Sequence, residues 1–309
     1  MAIFTTIFEF YFIGLFVAFL FFYMKNDRYS ELINLISAAI FGITLEFLII
    51  IRYENYRYST DFLVQIGDEP GNVPIVIGLC WGMIIMSSMS ISDRTGIKKS
   101  IRPLLDTLQA ITIDLSMDVI AIRIEGGFWV WGSPLKNNIT PDGYFGVIWG
   151  NFIAWYLVVL VYSYFLRLSS MFWQNTVNFK MLLFNLTLPI FAYIPFYLIL
   201  ESIRRSYYYQ WLITGWIIPY YFAYVFLAMI LLALTLIFYE IRQRQVNLLK
   251  QGDLLPVILF ASFHLFFLFM LIWLEIVVKI PLAAFVTILV VTLDFGLHYI
   301  LYRYGQIYN

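Results

Sequence analysis

The fold class is decided by residues 73–92, VPIVIGLCWGMIIMSSMSIS, which contain no Asp, Glu, Lys or Arg. About 20 apolar residues are enough for one helix to cross the hydrocarbon core of a bilayer. Lipid offers no hydrogen-bond partners to the backbone, so only helices and closed barrels span it. This run is continuously apolar rather than alternating, which predicts a membrane-spanning helix.

Similar apolar runs fill the rest of the chain. Hydrophobic residues make up 62% and charged residues 12%, about half the charge of a typical soluble domain. The sequence predicts an all-α, polytopic integral membrane helix bundle that forms one transmembrane domain over residues 1–309. A net charge of +0 argues against nucleic acid as a partner. About nine spans are expected, at residues 5–24, 32–51, 73–92, 103–122, 144–166, 181–200, 211–238, 255–276 and 281–301, with a tight hairpin at Pro281 before the last.

Two polar connections, residues 52–72 and 123–143, are longer than the others, and long loops often carry function. Basic residues cluster between Arg94 and Arg102 and again at Arg242 and Arg244. Because basic loops stay on the cytoplasmic side, we expect the N-terminus outside, the C-terminus in the cytoplasm and both long loops outside. A prokaryotic cell membrane is the expected location.

Two aspartates interrupt the fourth predicted span. Asp114 and Asp118 lie four residues apart and so share one face of a helix. Two carboxyl groups this close in a dry environment do not easily ionise together, so one should hold a proton near neutral pH. The pair is then either a general acid beside a general base or a structural pair that bonds to neighbouring spans.

Other ionisable residues in the apolar runs have less specific interpretations. Asp294 and His298 have the same spacing and fit a proton relay, a metal site or a hydrogen-bonded pair near a helix end. Glu9 and Glu275 are expected to be interface residues or to pair within the packing. No Gly-rich phosphate loop, Cys-x-x-Cys or Gly-x-Ser-x-Gly is present, which argues against nucleotide-driven transport and serine-hydrolase chemistry.

An ordered set of polar and aromatic residues runs through residues 40–160. It consists of Glu46, Tyr56-Arg57-Tyr58, Val73-Pro74, Trp81, Asp114, Asp118, Gly126-Gly127-Phe128-Trp129-Val130-Trp131, Tyr144-Phe145-Gly146, Asn151-Phe152 and Trp155. This order resembles the carotenoid biosynthesis family of membrane proteins that includes the carotenoid 1,2-hydratases and the bisanhydrobacterioruberin hydratases. The chain departs from the family pattern at Val119, where Pro is common, and at Ala154, where Gly is common.

The resemblance implies that water is added across the terminal C1–C2 double bond of an acyclic carotenoid after an acid protonates it, with no cofactor and no metal. It implies catalytic roles for Asp114, Asp118 and Glu46, with Glu46 or Asn151 orienting the water. The implied partners are a hydrophobic polyene or isoprenoid substrate and membrane lipid. The implied substrate-binding residues are Tyr56, Tyr58, Trp81, Trp129, Trp131, Tyr144, Phe145, Asn151 and Trp155.

Two other functions remain open at the level of sequence. Intramembrane prenyltransferases also have about nine spans and Asp-x-x-x-Asp motifs, but they need two acidic clusters and basic residues for a diphosphate. A carotenoid- or lipid-binding subunit, or a small transporter, needs no catalytic acid. Residues 166–309 carry no motif that separates these alternatives.

Overall fold

The computed structural model describes residues 2–52, 56–132, 135–173, 179–244 and 254–307. Eight helices within these ranges are long and apolar enough to cross a membrane, which confirms the predicted all-α, polytopic membrane bundle. The helices of the described residues are α1 (Ile3–Lys25), α2 (Tyr29–Arg52), α3 (Ile75–Ser92), α4 (Arg102–Ala121), α5 (Trp149–Trp173), α6 (Phe179–Thr214), α7 (Tyr221–Arg244), α8 (Leu255–Trp273), the one-turn α9 (Ile276–Lys279) and α10 (Pro281–Ile307).

Helix α4 is as long as its neighbours but is not among the eight apolar helices. Its carboxylates lower its hydropathy, and three of them, Asp106, Asp114 and Asp118, are at most 1% exposed. The helix packs against α3, α5, α7, α8 and α10. These neighbours keep its polar side chains away from lipid, where an unpaired carboxylate is costly.

The two long loops meet at one end of the bundle. Their short strands are β1 (Arg57–Tyr58), β2 (Gln65–Ile66), β3 (Val73–Pro74), β4 (Trp129–Val130), β5 (Gly143–Tyr144) and β6 (Val147–Ile148). Strand β1 of the first loop pairs antiparallel with β4 of the second, so both loops lie on the same side of the bundle. The pairs β2–β3 and β5–β6 each form a hairpin.

Three predicted boundaries differ from the structure. Helix α5 begins at Trp149 rather than at residue 144 because residues 143–148 form the β5–β6 hairpin. Helix α6 continues to Thr214, where Gly215 ends it with a φ of 64°, so α7 begins at Tyr221 rather than at residue 211. The chain reverses before α10 through α9, and Pro281 is the first residue of α10, where a missing N–H costs nothing.

Two glutamates attach the long loops to α1. The buried Glu9 carboxylate accepts hydrogen bonds from the backbone N–H groups of Leu63 at 2.7 Å and Val64 at 2.8 Å. Glu125 accepts from the backbone N–H groups of Phe4 and Thr5, each at 3.1 Å. A carboxylate at the first turn of a helix satisfies free N–H groups and is favoured by the helix dipole. Glu9 is therefore paired within the packing.

We expect Glu9→Ala to lower the free energy of unfolding by about 1–3 kcal/mol, because two partly buried backbone N–H groups lose their acceptor. Thermal unfolding of the purified protein in detergent measures this change. Glu275→Ala is the control, since Glu275 pairs with Lys279 at 3.0 Å with both side chains at least 60% exposed, and such pairs contribute little. Equal effects of the two substitutions would contradict the role given to Glu9.

Candidate active site

A cavity of about 560 Å³ lies between α2, α3, α4, α5, the paired loops and the link from α6 to α7. This volume falls in the usual range for small-molecule sites, roughly 300–1,000 Å³. Most of the wall is aliphatic or aromatic, which suits a ligand with few polar groups. The predicted site residues on the described wall are Glu46, Tyr56, Tyr58, Trp81, Asp118, Trp129, Trp131, Asn151 and Trp155.

Asn151 holds the two carboxyl groups of α4 together. It lies in the first turn of α5, and its Nδ2 donates to Oδ1 of Asp114 at 3.1 Å and to Oδ2 of Asp118 at 2.7 Å. Those two bonds use both hydrogens of the amide group. Asp118 is on the cavity wall, and Asp114 lies one turn earlier on α4, outside the described wall.

The second oxygen of each carboxyl group needs a further partner. Oδ2 of Asp114 and Oδ1 of Asp118 are buried, and no donor for them exists among the described residues. The two carboxyl groups are within hydrogen-bonding reach of each other. Two buried carboxylates would repel each other and leave both oxygens unpaired. One proton between them satisfies both oxygens, so the arrangement is that of a proton-sharing pair.

Glu46 forms a second acidic centre on the same cavity. Its Oε1 accepts from Nε1 of Trp81 at 2.8 Å, and its Oε2 lies 3.3 Å from the Tyr56 hydroxyl. Tyr56 also donates to the Tyr58 hydroxyl at 2.9 Å. Burial, followed by the nearby Glu46 charge, raises the pKa of both phenols well above the usual value. The phenols therefore stay protonated donors, and the bond from Trp81 together with the nearby Tyr56 hydroxyl holds the Glu46 carboxyl group in place.

The pairing of β1 with β4 builds an aromatic wall. Tyr58 is opposite Trp129 in the register, and their ring centroids are 6.1 Å apart. Tyr56 stacks on Trp131 with a centroid distance of 4.4 Å. The rings of Tyr56 and Tyr58 are 5.4 Å apart, so the two pairs of rings are adjacent. Trp81 and Trp155 also line the cavity, and their ring centroids are 4.2 Å apart.

Tyr144 and Phe145, both expected to bind substrate, lie outside the described cavity wall. Phe145 and Gly146 have φ values of 48° and 94°, which are those of the type I′ turn that a two-residue hairpin requires. Tyr144 packs edge-on against Phe152 at 5.7 Å, and burial raises the pKa of its phenol. Arg123 donates to the Phe145 carbonyl at 2.9 Å. In the structure, the Tyr144-Phe145-Gly146 motif belongs to the hairpin that leads into α5, the helix that carries Asn151.

The C-terminal half of the chain also contributes residues to the cavity wall, and no sequence motif had marked these residues. Helix α6 has 36 residues, or about 54 Å at 1.5 Å per residue, well beyond the roughly 30 Å of a bilayer core. Its last turns and the link to α7 contribute Leu200, Ile203, Tyr207 and Ile217 to the wall. Gly215 and Pro219, which predict a break between two helices, are the one sequence feature that distinguishes the link from α6 to α7.

The Asp294–His298 pair belongs to a separate buried cluster. Oδ2 of Asp294 lies 3.0 Å from Nε2 of His264 and 3.2 Å from Nε2 of His298. Ser116 and Thr112 of α4 join it, with Ser116 Oγ 3.2 Å from Nδ1 of His264 and Thr112 Oγ1 donating to Asp294 at 3.1 Å. Across the described ranges, no three His, Cys, Asp or Glu side chains are placed to hold a metal ion. Asp294 is therefore hydrogen-bonded to His264 and Thr112, whereas His298 Nε2 lies near it without a hydrogen bond among the described residues.

Comparison with known proteins identifies the family. The model of a family described as carotenoid biosynthesis protein matches residues 7–217, which is more than half of the chain. The chain therefore belongs to this family of carotenoid biosynthesis proteins, and it is an integral membrane protein with a role in carotenoid biosynthesis. Neither the curated proteins nor the solved structures gave a match.

We expect Asp114→Asn to change the free energy of unfolding by less than about 1 kcal/mol, because an amide N–H can replace the shared proton toward Asp118. Asp114→Leu has no donor, so it should cost about 1–3 kcal/mol more. Thermal unfolding in detergent measures both. The same two substitutions at the exposed Asp68 are the controls, and an equal loss for Asn and Leu at Asp114 would contradict the shared proton.

Proposed function

We propose that this chain is a membrane-embedded hydratase that adds water across the terminal C1–C2 double bond of an acyclic carotenoid. The observation that carries the proposal is the Asp114–Asp118 pair, whose geometry calls for a shared proton and whose Asp118 lies on the wall of an apolar cavity. An unactivated alkene needs an acid that stays protonated in a water-poor site. Membership of a carotenoid biosynthesis family supports an isoprenoid substrate.

Asp118 is the acid in this mechanism because it faces the cavity. It transfers the shared proton to C2, and the electron pair of the double bond forms the new C–H bond, which leaves a tertiary cation at C1. Water then adds through oxygen to C1, and the proton that it releases returns to the carboxyl pair. Asn151 bonds to both carboxyl groups throughout and keeps Asp118 oriented. Overall, the alkene and water form a tertiary alcohol, and the acid is regenerated.

The aromatic residues that share the cavity wall with the acid suit a short-lived cation. The stacked rings of Tyr56 and Trp131 offer aromatic faces, and cation–π attraction contributes about 2 kcal/mol or more at a desolvated site. The Glu46 carboxyl group, held by Trp81 and the nearby Tyr56 hydroxyl, adds a fixed dipole whose negative end lies on its oxygens. Such preorganised partial charge stabilises a transition state more than solvent does. This assigns electrostatic stabilisation to Glu46, and orientation of the acid to Asn151.

The cavity size indicates how a long polyene binds. A space of about 560 Å³ takes one end of a carotenoid, and we propose that the remaining chain extends into the bilayer. The apolar residues of α6 and the α6–α7 link would contact that part of the substrate. We further propose a prokaryotic cell membrane with the N-terminus outside, so that water reaches the site from the side of the paired loops.

Expression in a host that makes lycopene tests the proposal. We expect a more polar pigment that is heavier by one water, detected by chromatography and mass spectrometry. Asp118→Asn should lower its yield by at least about 100-fold, because the general acid is lost, while Asp68→Asn at an exposed loop position should leave it unchanged.

An unchanged pigment profile with well-folded wild-type protein would refute hydration of this substrate. If pigment co-purifies with wild-type protein and with Asp118→Asn in equal amounts and stays unmodified, a carotenoid-binding subunit is the better description.

A further inference from the structure

Two indole N–H groups belong to residues of the cavity wall and have no acceptor among the described residues. Trp129 is 5% exposed, and Nε1 of both Trp129 and Trp131 is buried without a partner in the part of the chain that the structure describes. Both residues line the cavity. An N–H buried without an acceptor costs about 1–3 kcal/mol, so two such groups on residues of one cavity wall indicate an acceptor that binds in the cavity.

The rings are fixed where they are. Trp129 is held by the β1–β4 pairing and by Tyr58, and Trp131 is stacked on Tyr56. Neither indole can rotate toward a protein acceptor without breaking these contacts. The Glu46 oxygens on the same wall already lie against Trp81 and Tyr56.

The chemistry of the cavity limits the identity of the missing acceptor. A hydrocarbon end group has no lone pair, so the substrate itself cannot satisfy these N–H groups. Water can, and hydration requires a bound water at this place. A water that accepts one N–H bond keeps a second lone pair, which is free to attack a cation.

We propose that Trp129 and Trp131 form the water site of the enzyme, so that an indole N–H holds the oxygen that becomes the product hydroxyl. This inference rests on the proposed hydration and moves the orienting role from Glu46 and Asn151, whose polar groups are engaged elsewhere, to the indoles. After the oxygen adds to C1, the same N–H donates to the new hydroxyl. The proton released by the water returns to the Asp114–Asp118 pair.

Different residues act in the two steps of the reaction. Asp118 makes the cation, and the indoles deliver the water that captures it. If capture fails, the cation loses a proton either from C2, which regenerates the original alkene, or from a methyl group on C1, which gives its isomer with a terminal methylene. In D₂O the transferred proton is deuterium, so each uncaptured cycle can leave deuterium in the recovered, unhydrated carotenoid.

The test compares Trp129→Phe, Trp131→Phe and the double variant in membranes supplied with lycopene in D₂O. Phe keeps an aromatic face and removes the N–H. We expect hydrated product to fall about tenfold for a single variant, the factor that corresponds to one hydrogen bond, and to fall further for the double variant. Mass spectrometry of the recovered lycopene should show more deuterium than with the wild-type protein. Trp273→Phe is the matched control, because Trp273 is 60% exposed on α8, away from the cavity.

The outcomes are distinct. Hydration by the double variant at the wild-type rate would overturn the proposal. Loss of both hydration and deuterium exchange would also overturn it, because the indoles would then act in forming the cation. Failure of the hydratase assignment looks different: the wild-type protein itself would show neither hydration nor exchange, whatever the tryptophan variants do. Deuterium exchange in a variant that no longer hydrates also shows that the variant is folded.

Discussion

The structure depends on two buried carboxyl groups that share the two hydrogens of one amide. Asp114 and Asp118 are almost completely enclosed, and Asn151 can satisfy only one oxygen of each. The other two oxygens are buried and have no donor among the described residues. A proton shared between the two carboxyl groups satisfies both oxygens. The same proton gives the site a general acid.

The position of α4 in the bundle follows from this constraint. Its opposite face carries Thr112 and Ser116, two residues before each aspartate and therefore about 200° around the helix. That face bonds to Asp294 and His264 of α10 and α8. With polar contacts on both sides, rotation of α4 would break one set or the other. Buried polar networks of this kind can fix a unique packing, and here the network points Asp118 toward the cavity.

Some of this arrangement follows from the sequence and some does not. The helices follow from long apolar runs, and the neighbourhood of Asp114 and Asp118 follows from their spacing on one helix. The contact of Glu46 with Trp81 joins two helices across 35 residues, and no local pattern encodes it. Phe145 shows the opposite problem, since the family resemblance implied substrate binding, whereas the residue lies outside the described cavity wall and its positive φ serves a turn.

The cavity wall from α6 and α7 was the hardest part to foresee. In a membrane protein, side chains that line an apolar cavity have the same composition as those that face lipid, so hydropathy cannot separate Ile203 from its exposed neighbours. Only the packing of α6 on α2 and α5 decides which face looks inward. The water site inferred for Trp129 and Trp131 likewise depends on which indole N–H groups lack an acceptor, and sequence carries no such information.

The shared proton is the central claim, and infrared spectroscopy of the purified protein at neutral pH tests it most directly. The account predicts a carbonyl stretch of a protonated carboxylic acid that disappears in Asp118→Asn and in Asp114→Asn, because an amide then donates to the remaining carboxylate. The band should persist in Asp68→Asn. Identical spectra for the wild-type protein and both α4 variants would show that the pair holds no proton, and would contradict the account.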